Sequence, residues 1–464
     1  MPRELVRNNR YKFFIVGALG TFMATLDHSI VNVALPSIAA DLSCSVDLVA
    51  WVVLAYSLTL ISLLMVFGAW TERRGYLFAY KFGYVFFLAG SLFCALSPNI
   101  YLLIIGRVVQ GIGSAMFAAI GPSMVTTVFP REDRGRGLGM MMMMVSGGLM
   151  VGPPLGGLLL GIWSWPAIFF VNLPVGAFGL TMVYRYFPLL EKKQEGRKIP
   201  LFGAACISLA LVAAIFTLKM ITVLSLSDPT LWVLVILSLT ALTVFLKIES
   251  DSKKALIGLG ILRNRQFTTS LGAQLMYFAG LSGTLVLVPF YLERVKGFVP
   301  QQVGCILMIL PVLMFLVAPL AGRLSDKIGF RLLTTLGMLG ITCGFYLLSG
   351  LNTDTSTMYL VLALVMVGLG AGTFGSPNSS ALMGSVTENQ RAVTSGIQAT
   401  NRNMGQALGV AIATTLFAFF EARHSYLGDD RLVFIASFRP VVYVAIGLAL
   451  VGATFCLARA NRSV

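Results

Sequence analysis

At 464 residues, 57% hydrophobic, 11% charged and with a mean hydropathy of +0.85, the chain lies outside the composition of soluble globular domains. Its formal charge of +15 sits in short loops rather than a basic run, so orientation in a bilayer accounts for it and nucleic acid is excluded as a partner. Cys44, Cys94, Cys206, Cys305, Cys343 and Cys456 show no close pairing, and His28 and His424 are too few for a histidine cluster, so neither a disulfide framework, a metal nor a cofactor is expected.

The first apolar run covers 13–38, behind Arg3, Arg7, Arg10 and Lys12. It outlasts a signal-peptide core and lacks a small-residue cleavage site, so it reads as a retained membrane helix. Runs of spanning length follow at 47–70, 78–97, 99–127, 136–162, 165–188, 200–221, 231–248, 266–290, 301–322, 331–350, 356–383, 391–419 and 435–458, which makes fourteen predicted crossings. With both termini cytoplasmic, 25 lysines and arginines fall inside and 4 outside, namely Arg294, Lys296, Arg423 and Arg431. Dropping the weak pair 200–221 and 231–248 keeps that bias, so hydrophobic length decides for fourteen rather than twelve. The expected organisation is a six-helix bundle over 1–190, a linker with two added helices over 191–262, and a second six-helix bundle over 263–464.

An internal echo pairs the bundles. Gly68-Ala-Trp-Thr-Glu-Arg-Arg-Gly75 follows the second run and Gly322-Arg-Leu-Ser-Asp-Lys-Ile-Gly329 the tenth, each with an acid four residues and a glycine seven residues after the first glycine. Two parallel six-helix repeats are the build of rocker-type secondary transporters, with substrate bound between them. Gly68, Glu72, Arg73, Arg74, Gly75, Gly322, Asp326, Lys327 and Gly329 are therefore candidate gating residues, read as loops that turn tightly and carry ion pairs at helix ends.

Asp27 sits near the middle of the first apolar run, and Arg107 lies several residues inside the fourth. Charges in hydrocarbon are costly, so both should face protein or water. Paired across a bundle, attraction to the arginine and desolvation pull the carboxylate in opposite directions, which makes its charge depend on conformation and Asp27 with Arg107 a candidate proton-coupling pair. In the fifth run Gly147, Gly152, Pro153, Pro154, Gly156 and Gly157 combine close packing with missing backbone donors, the ingredients of a hinge. Met140–Met144 beside it forms a soft apolar surface. Asn32, Gln110, Gln274, Tyr277, Asn378, Asn401, Arg402 and Gln406 are polar positions in apolar runs and candidate walls of a substrate cavity, whereas Glu293, beside Tyr291 and Arg294, reads as surface. The glycine pairs are not followed by a phosphate-loop lysine and no nucleophile and base share a segment, so an enzyme is not expected.

These stretches resemble a known family. Leu26-Asp27-His28-Ser29-Ile30-Val31-Asn32-Val33-Ala34-Leu35-Pro36 is similar to the first-helix signature of the fourteen-helix drug:proton antiporter branch of the major facilitator superfamily, with His28 where a small residue is usual. Gly68–Gly75 resembles the superfamily's gating motif, with Glu72 in place of the commoner aspartate. Arg107-Val-Val-Gln-Gly-Ile-Gly113 resembles its proton-coupling motif, and Gly147–Gly157 its antiporter motif. The resemblance implies an all-α polytopic membrane protein of two six-helix bundles plus two extra helices. It further implies a bacterial inner-membrane protein in contact with lipid, exporting hydrophobic or amphipathic, often cationic, compounds on a proton gradient; the chain is long enough to act as a monomer and nothing in it marks a dimer interface. Helices 10 to 14 carry no acid deep in the membrane, unlike some polyspecific members, so export or flipping of a lysolipid, glycolipid or other lipid-like metabolite stays open.

Overall fold

The computed structural model describes residues 10–130, 133–186, 201–220, 228–250, 261, 263–387 and 391–459. Their long helices are α1 Arg10–Asp41, α2 Trp51–Arg74, α3 Tyr76–Ala95, α4 Ile100–Val128, α5 Arg134–Ile162, α6 Asn172–Tyr186, α7 Leu201–Met220, α8 Pro229–Ser250, α9 Arg265–Leu285, α10 Ile309–Ile328, α11 Phe330–Ser349, α12 Thr357–Gly384, α13 Arg391–His424 and α14 Asp430–Leu457. No strand occurs among the described residues, as expected of a chain whose backbone must satisfy its own hydrogen bonds in lipid. Among the described residues thirteen helical stretches are long and apolar enough to cross a membrane, and Ala205–Leu218 in α7 is a shorter apolar one. The protein is an all-α, multi-pass membrane protein.

Two compact units divide the chain. The first comprises Met1–Cys44, Trp51–Val212 and Thr240–Leu256, and the second Ser45–Ala50, Ala213–Leu239 and Ile257–Val464. Each contains one six-helix bundle, α1–α6 in the first and α9–α14 in the second, while α7 and α8 contribute segments to both. Within the first unit the most extensive packing is α3 on α4, α1 on α5 and α2 on α4; within the second it is α11 on α12, α9 on α13 and α10 on α12. The same helix pairs recur eight helices later, so the repeat seen in two octets extends to the packing of whole bundles.

Glycines set how closely those pairs approach. A methyl on Gly113 of α4 would lie 2.5 Å from the Gly83 carbonyl oxygen and 2.6 Å from the Phe87 nitrogen of α3. In the second unit a methyl on Gly370 of α12 would lie 2.6 Å from both the Gly337 carbonyl oxygen and the Ile341 nitrogen of α11. Backbone meets backbone at both seams, which only small residues allow. Phe117 fills the space beside the first, with Tyr84 and Phe87 ring centroids at 4.7 and 5.9 Å.

The expected gating loops are mostly helix. α2 continues to Arg74 and α10 to Ile328, and only the final glycine of each octet turns the chain, Gly75 at φ 88° and Gly329 at φ 83°. Nothing lies within 4 Å of a methyl built on either, so backbone conformation rather than crowding demands glycine there. The remaining octet residues are polar or good helix formers and extend the preceding helix by two turns. Arg74, Arg323 and Lys327 are exposed. The ion pairs expected of Glu72 and Asp326 fall, with Gly68 and the Arg73 side chain, outside the described residues.

Candidate functional site

Asp27 and Arg107, 80 residues apart in sequence, meet. Both are 0% exposed, and Arg107 Nη1 donates to Asp27 Oδ2 at 2.5 Å. Helical periodicity supplies the second donor, because Gln110 lies three residues beyond Arg107 on the same face of α4. Its Nε2 donates to Asp27 Oδ1 at 2.7 Å, while its Oε1 accepts from Arg107 Nη1 at 2.5 Å. A third donor is Asn172 Nδ2 at 2.9 Å from Oδ1, at the start of α6. Ser91 Oγ of α3 accepts from Gln110 Nε2 at 2.8 Å and from Asn172 Nδ2 at 3.4 Å. Arg107 Nε donates to the Val52 carbonyl of α2 at 2.9 Å, and the guanidinium lies 4.2 Å from the centroid of the Tyr56 ring. Tyr56 is fixed in turn by its hydroxyl, 2.6 Å from Ser114 Oγ and 3.2 Å from the Ala24 carbonyl, and by His28 stacked at 6.1 Å.

Five helices thus converge on one carboxylate that has no contact with water. Three of its four lone-pair positions are occupied by N–H donors, and none of those donors can accept a proton in exchange. The donors sit on α4 and α6. The carboxylate thereby joins α1 to α4 and α6.

α5 connects to the same helix segment. Gly148, Gly152 and Gly156, spaced four apart, line its contact with α1. Added methyls there would lie 2.9 Å from the Leu26 nitrogen, 2.5 Å from Ser29 Cβ and 2.8 Å from Ile30 Cγ1. Gly147, by contrast, would meet only Phe22 at 3.8 Å, so the close seam runs through Gly148 instead. Pro153 and Pro154 lie inside the continuous helix, and Gly157 is buried. Pro153 has no N–H for the carbonyl four residues back, which belongs to Leu149. Ser29 Oγ of α1 donates to that carbonyl at 3.1 Å. The backbone break in α5 is thereby mended from a residue two positions after Asp27.

The cavity candidates of the second unit separate into bonded and unbonded residues. Asn401 Nδ2 donates to Gln274 Oε1 at 3.1 Å and to the Leu271 carbonyl at 3.0 Å, joining α13 to α9. Tyr277 is 3% exposed, its ring 4.8 Å from that of Phe374 and its hydroxyl without a hydrogen bond. Asn378 is buried and committed: its Oδ1 accepts from Arg459 Nη2 at 2.5 Å and its Nδ2 donates to the Ser270 carbonyl at 3.3 Å. Arg402 and Gln406 are half-buried. Asn32, in the first unit, is also half-buried, and Gln110 belongs to the Asp27 cluster rather than to a cavity wall.

Asn172, Ser91, Tyr56 and Ser114 were not among the candidates read from the sequence. The signal for Asn172 was a lone amide inside the run 165–188, weaker than a charge. No group of three His, Cys, Asp or Glu is placed for a metal among the described residues, and none of the six cysteines forms a disulfide.

Residues 17–410 and, in a second match, 271–462 fit the profile described as Major Facilitator Superfamily. The chain belongs to that superfamily. Among relatives of this major facilitator protein, "Riboflavin transporter RibZ" of Clostridioides difficile (strain 630) is 30% identical over 97% of this chain and 98% of its own length. "Multidrug resistance protein Stp" of Mycobacterium tuberculosis is 28% identical over 87% of this chain and 75% of its own. A crystal structure of the peptide transporter POT in complex with sulfate shares the fold, with a TM-score of 0.69, 15% identity and coverage of 96% of this chain and 94% of that one. Membership makes the protein a secondary-active transporter of a small organic solute and not an enzyme, and these relatives place it among multi-pass bacterial membrane proteins.

Proposed function

We propose that this transporter exports an amphipathic organic metabolite in exchange for protons by alternating access, with Asp27 as the proton site, in a bacterial inner membrane with both termini inside. One observation carries the reading: a fully buried carboxylate on α1 is held by Arg107 and Gln110 of α4 and Asn172 of α6, so that a change of its state and a movement of these helices act on the same contacts. Driving force enters as a proton, and the positions of α1, α4 and α6 report its presence. The Ser29 bond extends the same dependence to the proline break of α5. The resemblance of Gly147–Gly157 to the antiporter motif supports exchange over symport.

Metabolite-like or lipid-like solutes are favoured over multiply charged cationic drugs. The apolar stretches 301–325, 330–349, 357–384, 396–420 and 431–457 contain no acidic residue, so α10–α14 offer no deep carboxylate to a cation. The named relatives are a riboflavin transporter and a multidrug resistance protein.

Proton release from the purified protein in lightly buffered detergent tests this, with riboflavin, lysophosphatidylethanolamine and ethidium added to wild type and to Asp27→Asn. Release on ligand addition in wild type, and its disappearance in Asp27→Asn, is the expected result. Undiminished release from Asp27→Asn removes Asp27 as the proton site, and binding without release in wild type removes proton exchange altogether.

A further inference from the structure

The arginines inside the membrane-spanning helices are not equally provided for. Arg107 has Asp27, Gln110 and the Val52 carbonyl. Arg439 of α14 bonds to Asn352, and Arg459, just past α14, to Asn378 and Thr334. Arg402 of α13 has no hydrogen bond and no acidic partner among the described residues, although it is half-buried and lies eleven residues into its helix, about 16 Å along the axis. Burying a guanidinium without an acceptor is unfavourable, and a membrane-embedded cation kept without a protein partner marks a functional position.

Its neighbours one turn away on the same face are neutral amides. Gln406, one turn on and on the same face, is also half-buried, and only its backbone carbonyl is engaged, accepting from Ser282 Oγ at 2.9 Å. One turn back, Gln398 is occupied, its Nε2 donating to Ser379 Oγ of α12 at 2.7 Å. The stripe next to it, about 100° round the helix, is packed: Asn401 bonds to α9, and a methyl on Gly405 would lie 2.9 Å from Phe278 Cβ. α13 is therefore seated firmly on α9 by one stripe, while the adjacent stripe carries a guanidinium fork and an amide whose N–H groups find no acceptor among the described residues. An acceptor-only group with two or more oxygens satisfies that pair bidentately.

We propose that Arg402, with Gln406 beside it, recognises an anionic oxygen-bearing group, a phosphate or a carboxylate, carried by the transported solute. The inference rests on the transport reading above and adds to it the charge of the solute. An amphipathic anion supplies the deep negative charge that α10–α14 lack, and a cationic solute meets like charge at Arg402.

Matched probes separate the charged group from the body that carries it. Binding to the full chain in detergent is measured for riboflavin against riboflavin 5′-phosphate, and for monomyristoylglycerol against myristoyl lysophosphatidate. In wild type the phosphate-bearing member of at least one pair binds about tenfold tighter or more, as expected for charge-assisted hydrogen bonds. Which pair responds tells a ring-bearing solute from a lipid. Arg402→Gln erases the difference, Arg402→Lys keeps part of it because the charge remains without the fork, and Asp27→Asn leaves it unchanged. The last variant separates the two readings, since loss of proton release with retained phosphate preference refutes neither the site nor its chemistry. A phosphate preference that survives in Arg402→Gln overturns the proposal. So does the lack of any such preference in folded wild type, whether the probes bind equally or not at all. Should Arg402→Gln fail to fold, Arg402→Lys decides alone, and full retention of the preference in it counts against the fork.

Discussion

The bond from Ser29 to the Leu149 carbonyl predicts an unusual dependence between two substitutions. Ser29→Ala removes a side-chain donor from the carbonyl that Pro153 deprives of its i+4 N–H, at a buried helix seam. An orphaned buried carbonyl costs about 1–3 kcal/mol in soluble proteins, while side-chain hydrogen bonds within membranes average about 0.6 kcal/mol. A loss of about 1 kcal/mol is expected for Ser29→Ala in the wild-type background. Pro153→Ala restores an N–H at 153, which reaches the same carbonyl along the helix, so Ser29→Ala made in that background costs little. The two single variants and the double variant, unfolded by sodium dodecyl sulfate titration and followed by tryptophan fluorescence, give the coupling directly. A coupling below about 0.5 kcal/mol, the usual margin of additivity, refutes the account, because Ser29 then acts by packing and not by serving the proline break.

Other substitutions probe the Asp27 cluster from different sides. Arg107→Lys keeps the charge but not the fork that reaches Asp27, Gln110 and the Val52 carbonyl together, so ligand-induced proton release should fall at least about tenfold with expression retained; unchanged release would show that only charge matters. Arg107→Ala leaves a buried carboxylate without its cation and should cost about 3–5 kcal/mol in the same unfolding titration. Asn172→Leu removes one of three donors to Asp27, and the pH at which release is half-maximal should move, whereas a purely structural role would alter stability and leave that pH in place. Gly113→Ala forces α3 and α4 apart at a seam where the added carbon has 2.5 Å to the nearest oxygen; about 1–3 kcal/mol of destabilisation is expected, and a neutral outcome would mean the seam yields freely.

Charge was what made the site legible in sequence. A carboxylate and an arginine in separate apolar runs have few affordable arrangements, so pairing Asp27 with Arg107 needed no structure, and Gln110 is one helical turn away. Asn172 and Ser91 were hidden because uncharged amides and hydroxyls are tolerated in membrane helices and the contact to Asp27 spans 145 residues. Ser29 was harder still, since its partner is a carbonyl and no side-chain pattern records a backbone acceptor. Glycine and proline showed that α5 is special, yet which glycines touch α1 depends on rotation of the helix, and the seam fell on Gly148 rather than Gly147. The octets ending at Gly75 and Gly329 look like loops because they are polar, but polarity at the end of a membrane helix marks the lipid boundary, not the end of helical hydrogen bonding. Asn378 looked free to meet a solute because its partner, Arg459, had been counted only as an orientation charge.

That last contact bears on how the protein can be handled. Arg459 follows the final turn of α14, is 2% exposed, and reaches Thr334 of α11 and Asn378 of α12, which in turn holds the Ser270 carbonyl of α9. One side chain at the tail end of the chain ties four helices of the second bundle together. Trimming the chain back through this residue, an ordinary step when shortening a membrane protein for crystallisation, would untie that end of the bundle, whereas a purification tag attached beyond it leaves the knot in place.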